Sequence, residues 1–488
     1  MALYAGLDVG TSGGRCLVVD EHGKRAGYGE RPWRYTTDES GFPTLEPRAA
    51  IEALRASVAD ALKTCDARDL RSVGVTAQRT GVVFLDGAGK ELYVGPNTDG
   101  RAAQEGIAQE KAHADLIYRI AGRLPAMLYF PARLAWFRAH NPDIEPAVAL
   151  SFGDWIVARI TGVWATEPTQ AAEMLVYDVA MGHWSPELLG ALSVPERILP
   201  ALRASGEPAG VSEEGNPLGL PAGLAVCAGG ADTQCAALGV GVVDAGAAFV
   251  VAGTTMIAEQ LIGEFALDPE GRTWTSPHCV ADVRSQEAHC GEAGAALAWL
   301  SDLFTESPSA LADGADSSEP GANGVRFYDS YPSTARDFAL LRTGGFEFPM
   351  PVLALGRGRE DFARGLLEGI AFGARAGLDV LAELNGEPTE IAVAGGLARA
   401  GAFRAALAGT SKRSIRVATE TSSSALGAAI VAAAGDHGGV RAAASAMADR
   451  GTEIAPVEAH GYPALYASWR KRADALDKDA MKMSGLLK

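Results

Sequence analysis

The sequence predicts an α/β fold of two similar domains that face each other across a cleft. Three observations lead there. The chain has 488 residues, too many for one hydrophobic core. Strand-like runs alternate with helical periodicity in both halves. One strand-turn-strand pattern occurs twice, as "YAGLDVGTSGGRCLVVDEHG" from Tyr4 and as "AAFVVAGTTMIAEQLIG" from Ala247. Thr11 and Thr254 stand at the matching turns, about half the chain apart, so residues 1–243 and 244–488 are expected as the two domains.

In the first half, residues 4–9 and 15–20 read as strands about a glycine turn. Residues 48–65 have helical spacing, with Ile51, Leu54, Val58 and Leu62 on one face. Residues 72–86 read as two strands about a polar break, and 131–142 and 153–162 as short amphipathic helices. In the second half a helix is expected near 293–304, then a Pro/Gly/Ser-rich loop over 306–324 and a long helix over 360–385. A strand at 390–394, a glycine break, a helix near Phe403 and a strand at 415–418 follow. Residues 425–434 read as a last, small-residue helix.

Composition narrows the function classes. A hydrophobic content of 48% and a charged content of 21% describe a folded chain. The net charge of −17, with no basic stretch, argues against a nucleic-acid partner. It leaves room for a nucleotide, which arrives with a divalent cation. The six cysteines are scattered, none in a Cys-x-x-Cys pair, which reads as a reducing cytoplasm. The start has no signal-peptide pattern. The most apolar window, 236–251, is broken by Asp244 and too short to span a bilayer, so no membrane partner is expected.

Four glycine turns carry the candidate chemistry. Gly10, Thr11, Ser12 and Gly13 form either an ordinary hairpin or a phosphate loop, in which backbone N–H groups and two hydroxyls meet an anion. Gly253, Thr254 and Thr255 repeat that choice, and the repetition favours the phosphate loop. In "CAGGADTQCAALGVG", Asp232 follows a Gly-Gly turn and stands before a helix. It is either an N-cap or a general base held ionised by the helix N–H groups. Gly395 and Gly396 form a βα turn that either only connects or lets a nucleoside lie against backbone. No Gly-x-x-x-x-Gly-Lys-Ser/Thr loop occurs.

The order of these segments resembles the FGGY carbohydrate kinases, and the resemblance covers nearly the whole chain. It is carried by "GLDVGTSGGRCLVVD", "NTDGRA", "ARLAWFRAHNP", "GDWIVARITG", "GGADTQCAALGVG", "VAGTT", "LEGIAFGAR", "AGGLARAGAF" and "ALGAAIVAA". It implies two ribonuclease H-like domains of the actin-like ATPase kind, with ATP and Mg²⁺ between them. By it, Asp8 helps to place magnesium, Asp232 is the base and a further magnesium-side carboxylate, the two Gly-Thr turns hold phosphates, and Gly395 and Gly396 meet the nucleoside.

The acceptor end matches less cleanly. "AQRTG", 77–81, stands where xylulokinases resemble Gln-Met-His-Gly, while glycerol and autoinducer kinases are similar in having an arginine there, followed by Glu. Gln78, Arg79, Thr80 and Asp99 are therefore expected at the substrate, with Arg79 and Asp99 gripping hydroxyls or a carbonyl. The alternative for Arg79 is a structural arginine. Arg133 replaces the family's helix lysine, and Ser422 stands where Glu is frequent.

The pairs His278-Cys279 and His289-Cys290 match no zinc spacing and read as strand-borne core residues. Trp155, Trp164 and Trp184 fall in the substrate half, where core packing is their commoner use. The implied reaction is ATP-dependent phosphorylation of a hydroxyl on a small sugar such as xylulose or ribulose. An autoinducer-like linear dihydroxy ketone or a polyol is the alternative acceptor. A non-catalytic actin-like ATPase or a sugar-binding regulator is the alternative of another class. The partners implied are the sugar or polyol and MgATP, and the oligomeric state, a homodimer included, is left open.

Overall fold

A computed structural model of the chain describes residues 2–328, 344–350 and 356–486. Among these, two large sheets repeat one plan. The first holds β1 (Leu3–Val9), β2 (Gly13–Asp20), β3 (Arg25–Pro32), β4 (Leu70–Ala77), β5 (Pro208–Val211) and β6 (Ala225–Ala231), in the spatial order β5-β6-β4-β1-β2-β3. The second holds β7 (Ala248–Ala252), β8 (Met256–Ile262), β9 (Trp274–Pro277), β10 (Arg284–His289), β11 (Ile391–Ala394), β12 (Ile415–Val417) and β13 (Thr452–Ile454), in the order β9-β10-β8-β7-β11-β12-β13. In each, a three-stranded antiparallel meander continues into two parallel strands: β1-β2-β3 into β4 and β6, and β7-β8-β10 into β11 and β12.

β1 is buried along its whole length, which is why it reads as an unbroken apolar run. Its cover on one face is the small-residue helix Ser423–Ala432. A Cβ on Gly6 of β1 would stand 1.8 Å from the Ala425 carbonyl oxygen, and one on Gly74 of β4 would stand 2.0 Å from that of Ala428. Helix and sheet backbones meet directly there. A helix from the second half thus packs on the central strands of the first sheet, and the two domains share this core.

The segment 72–86 splits as expected, β4 going to the large sheet and Val82–Leu85 to a separate three-stranded sheet with Glu91–Gly95 and Val148–Ser151. The helices Pro47–Ala61, Phe130–His140, Phe152–Thr161, Ala293–Phe304 and Arg359–Asn385 lie where periodicity places them. Other elements differ. Ala103–Ala121 is a helix that the sequence reading lacks. The expected loop 306–324 contains the helix Pro308–Gly314: Ser307 caps it, accepting from Ala310 N at 3.2 Å, and Pro308 begins it. Ser and Pro suit a loop by composition, but in that order they also start a helix. The small-residue helix is not the last, since Val440–Met447 and Tyr462–Leu486 follow. No helix among the described residues is long and apolar enough to cross a membrane.

Candidate active site

Each glycine turn is closed by a backbone bond from its first glycine, spanning three residues in the first turn and two in the second. Gly10 N donates to Gly13 O at 3.0 Å, and Gly253 N donates to Thr255 O at 3.1 Å. Thr11, Ser12 and Thr254 are exposed at the turn tips. The first turn is further fixed by Trp33 Nε1, which donates to Thr11 O at 3.2 Å, and by Asn97 Nδ2, which donates to Thr11 Oγ1 at 3.0 Å. The second turn borders a cavity of about 780 Å³. Gly253, Thr254 and Gly396 line it, as do Ala295 and Ala298 of the helix Ala293–Phe304 and Ala312 of the helix Pro308–Gly314. The volume suits a nucleoside.

The two glycines at 395 and 396 divide the work. Gly395 has φ +102, and a Cβ there would stand 2.4 Å from Ala252 O, so it is a packing glycine against the end of β7. Gly396 has open space beside it and lines the cavity. Open space also surrounds the Cβ position of Gly253, whose nearest neighbour would be Thr255 O at 3.6 Å. The variant Gly253→Val should therefore fold and melt near wild type. Its affinity for MgATP should fall by at least about tenfold, since the side chain enters the anion's space. Calorimetry giving wild-type affinity would remove this turn from the nucleotide site.

Asp232 is the first residue of the helix Asp232–Gly239 and does not cap it. The cap position is Ala231, and no side chain makes the cap bond. Its carboxylate accepts only from Thr233 Oγ1, at 3.3 Å, among the bonds described. The helix terminus does not keep it strongly acidic, contrary to the sequence expectation. Its pKa is pushed up to about 7, chiefly by burial; Arg79 opposes the shift, and the charges of Asp8 and Glu173 add to it. Asp8, on β1, is 5% exposed and pairs with Arg15 of β2 at 3.0 Å. Burial raises its pKa and Arg15 opposes that.

On the acceptor side, Arg79 reaches from the end of β4 to Glu287 on β10 of the other domain. Nη1 donates to Oε2 at 2.7 Å and Nη2 to Oε1 at 3.1 Å. The Trp274 ring lies 5.6 Å from Arg79 and 5.8 Å from a second buried arginine, Arg123. The other three expected substrate residues are engaged with protein. Gln78, 1% exposed, donates to Gly10 O at 3.4 Å and accepts from Asn97 N at 3.0 Å, so it ties the first turn to the loop at 97. Thr80 has φ +61, and its carbonyl accepts from Arg133 at 2.8 Å. Asp99 is fully buried: its carboxylate accepts from Tyr93 OH at 2.5 Å and from Arg101 Nε at 2.7 Å.

Comparison with known proteins identifies the family. The N-terminal domain of the FGGY family of carbohydrate kinases matches residues 3–239, and its C-terminal domain matches residues 248–435. This chain belongs to the FGGY carbohydrate kinases. A xylulose kinase of Staphylococcus xylosus is 27% identical over 448 residues, 90% of this chain and 92% of that one. An autoinducer-2 kinase of Klebsiella pneumoniae is also 27% identical, over 335 residues; the match takes in 64% of this chain and 61% of the relative's length. The crystal structure of a xylulose kinase from Rhodospirillum rubrum, 24% identical, superposes with a TM-score of 0.85 over 98% of this chain and 100% of its own. That likeness shows the fold.

Within this FGGY chain, the residues that sequence reasoning missed are mostly buried partners. Glu287, Glu173, Arg123 and Trp274 surround Arg79, and none belongs to a segment that carried the resemblance. Trp155 is core, fully buried and bonded to Glu91, and Trp164 and Trp184 pack at core edges. His278, Cys279 and Cys290 are buried, and no group of three metal-ligating side chains occurs among the described residues. A Mg²⁺ ion still fits here: Asp8 and Asp232 offer hard oxygens whose charges repel, and magnesium takes its other ligands from phosphates and water.

Proposed function

We propose that this chain transfers the γ-phosphoryl group of ATP to a hydroxyl of a small sugar. A ketopentose such as xylulose or ribulose is the acceptor class. The observation that carries the reading is the carboxylate of Asp232: it caps nothing, has only its neighbour Thr233 as partner among the bonds described, and has its pKa pushed up to about 7 by burial against the opposing charge of Arg79. A carboxylate so placed can accept the proton of an attacking hydroxyl at physiological pH.

In this reading the cavity bordered by Gly253, Thr254 and Gly396 takes the nucleoside, and the Gly10 and Gly253 turns present N–H and hydroxyl donors to the phosphates. Asp8 and Asp232 would hold magnesium, which would supply charge neutralisation for the transferring group. Arg79 donates to sugar oxygens and orients the acceptor beside Asp232. Closure of the two halves over this cluster would exclude water and so protect ATP from hydrolysis. A linear dihydroxy ketone of the autoinducer type is the second reading. Its specific support is Arg79, which stands where the chain resembles autoinducer kinases in having an arginine and xylulokinases resemble a methionine.

Coupled ADP release with a panel of ketoses, polyols and a dihydroxy ketone tests this directly. ADP release that depends on one sugar supports the proposal. ADP release without any acceptor, or none at all, overturns it. Within the same assay, Arg79→Ala should lower kcat/KM for the sugar by about 10–100-fold, with little change in ATP affinity. Normal sugar kinetics in that variant would move the pocket elsewhere.

A further inference from the structure

An arginine fork beside an acceptor pocket is a ready receptor for a carboxylate, because two parallel N–H groups match two carboxylate oxygens. Arg79 is such a fork, and a sugar acid is the ligand it would take if it were free. It is not free. Glu287 fills it in a bidentate pair, and Glu287 comes from β10, in the opposite domain. We propose that Glu287 is a specificity-determining residue: by occupying the fork of Arg79 across the cleft, it makes the acceptor pocket accept uncharged polyhydroxy ligands and reject the corresponding sugar acids. This rests on the kinase reading above.

The surroundings point the same way. Arg123, fully buried, has its own carboxylate, Glu173, and donates to Ser276 Oγ at 2.6 Å. Each arginine that flanks Trp274 is therefore already neutralised. Glu287 is 1% exposed and lies directly opposite Glu259 on β8, which is equally buried and accepts from Gln234 Nε2 at 3.2 Å. Burial and the charge of Glu287 raise the Glu259 pKa. A substrate carboxylate that captured Arg79 would leave Glu287 buried without its ion-pair partner, with the carboxyl group of Glu259 beside it in place of a cation. It would also meet the negative charge of Asp232.

An uncharged oxygen faces none of these costs. A guanidinium has five N–H groups, and Glu287 takes two. The remaining three can donate to hydroxyl or carbonyl oxygens while the ion pair stays intact. Arg79 then acts as a hydrogen-bond donor to a neutral ligand, and Glu287 acts through it as a positioning residue.

The experiment compares each neutral sugar with the aldonate of matching length, such as gluconate or xylonate, as substrate and as competitive inhibitor of the neutral reaction. Wild type should favour the neutral ligand by about 100-fold or more. Glu287→Gln frees the fork while keeping the side chain's shape. Its ratio of aldonate to neutral kcat/KM, or of the matching inhibition constants, should rise at least about tenfold. The double variant Arg79→Gln, Glu287→Gln should lose that gain, because the receptor itself is gone. A ratio in Glu287→Gln within about twofold of wild type would overturn the role of Glu287. So would wild type that binds aldonates as well as neutral sugars, a measurement that needs no variant to fold. Absence of ADP release with every neutral sugar would instead remove the kinase reading, and the two failures are thereby separable.

Discussion

Asp232→Asn should fold, melt close to wild type and bind MgATP, yet phosphorylate the preferred sugar about 10²–10⁴-fold more slowly, the usual size of a general-base contribution. The structure removes the competing explanation for this aspartate. Were it an N-cap, the residue would matter for helix stability, and asparagine would replace it well. It lies one position inside the helix instead, and the cap position is Ala231, which makes no side-chain bond. The variant therefore removes the proton acceptor and one magnesium-side charge, while the amide keeps an oxygen there and Asp8 and the phosphates keep theirs. The pH profile gives a second readout. With its pKa at about 7, Asp232 is protonated and inactive as a base in acid. Sugar kcat/KM should fall as the pH drops below 7 and level off above it, since only the deprotonated form accepts the proton. The asparagine variant should lack that limb. Activity within a few-fold of wild type, measured beside the thermal midpoint, would refute the assignment.

The repeated architecture was legible because it rests on local patterns. Each glycine turn joins two antiparallel strands, and such a hairpin announces itself through alternation of apolar runs and turn residues. The core helix Ser423–Ala432 was legible too, since only small residues allow a backbone to lie on Gly6 and Gly74. The helix Pro308–Gly314 was not, because Ser-Pro reads as loop by composition although it is also a helix start. The cavity beside the Gly253 turn inherits that miss, since Ala312 forms part of its wall.

The acceptor side was less legible for a different reason. Sequence marks Arg79 as a hydroxyl-gripping residue, but its partner Glu287 lies 208 residues away and has no motif around it. Asp99 is expected at the substrate through the resemblance of the "NTDGRA" segment. In the structure its oxygens are occupied by Tyr93 and Arg101, and it is fully buried. Charged residues that bind each other and charged residues that bind a substrate have the same letters. Only the pairing tells them apart, and the pairing is tertiary.

The arginine at 133 shows how far that pairing reaches. Arg133→Met should lower the melting temperature by roughly 5–10 °C and reduce sugar kcat/KM by about 10–100-fold, while leaving MgATP affinity within about threefold of wild type. Arg133 is fully buried and donates to four carbonyls: Thr80 at 2.8 Å, Gly95 at 3.0 Å, Pro96 at 2.9 Å and Asp99 at 3.2 Å. These carbonyls belong to the turn that carries Arg79 and to the loop that leads to Asp99. Methionine fills much of the space but offers no donor, and hydrogen bonds from a charged group contribute about 1.5–3 kcal/mol each. Thr80 is held at φ +61, a conformation that a threonine leaves once its carbonyl is released. Arg79 would then lose its aim at the acceptor and the Gly10 turn would lose part of its brace through Asn97, whereas the Gly253 turn and the cavity beside it lie in the other domain. Arg133→Lys separates charge from geometry: an ammonium has three donors for the four carbonyls and no planar fork. It should fall between wild type and methionine in both melting temperature and sugar kcat/KM. A methionine variant that melts and turns over sugar like wild type would show that the substrate loops are anchored by something other than Arg133.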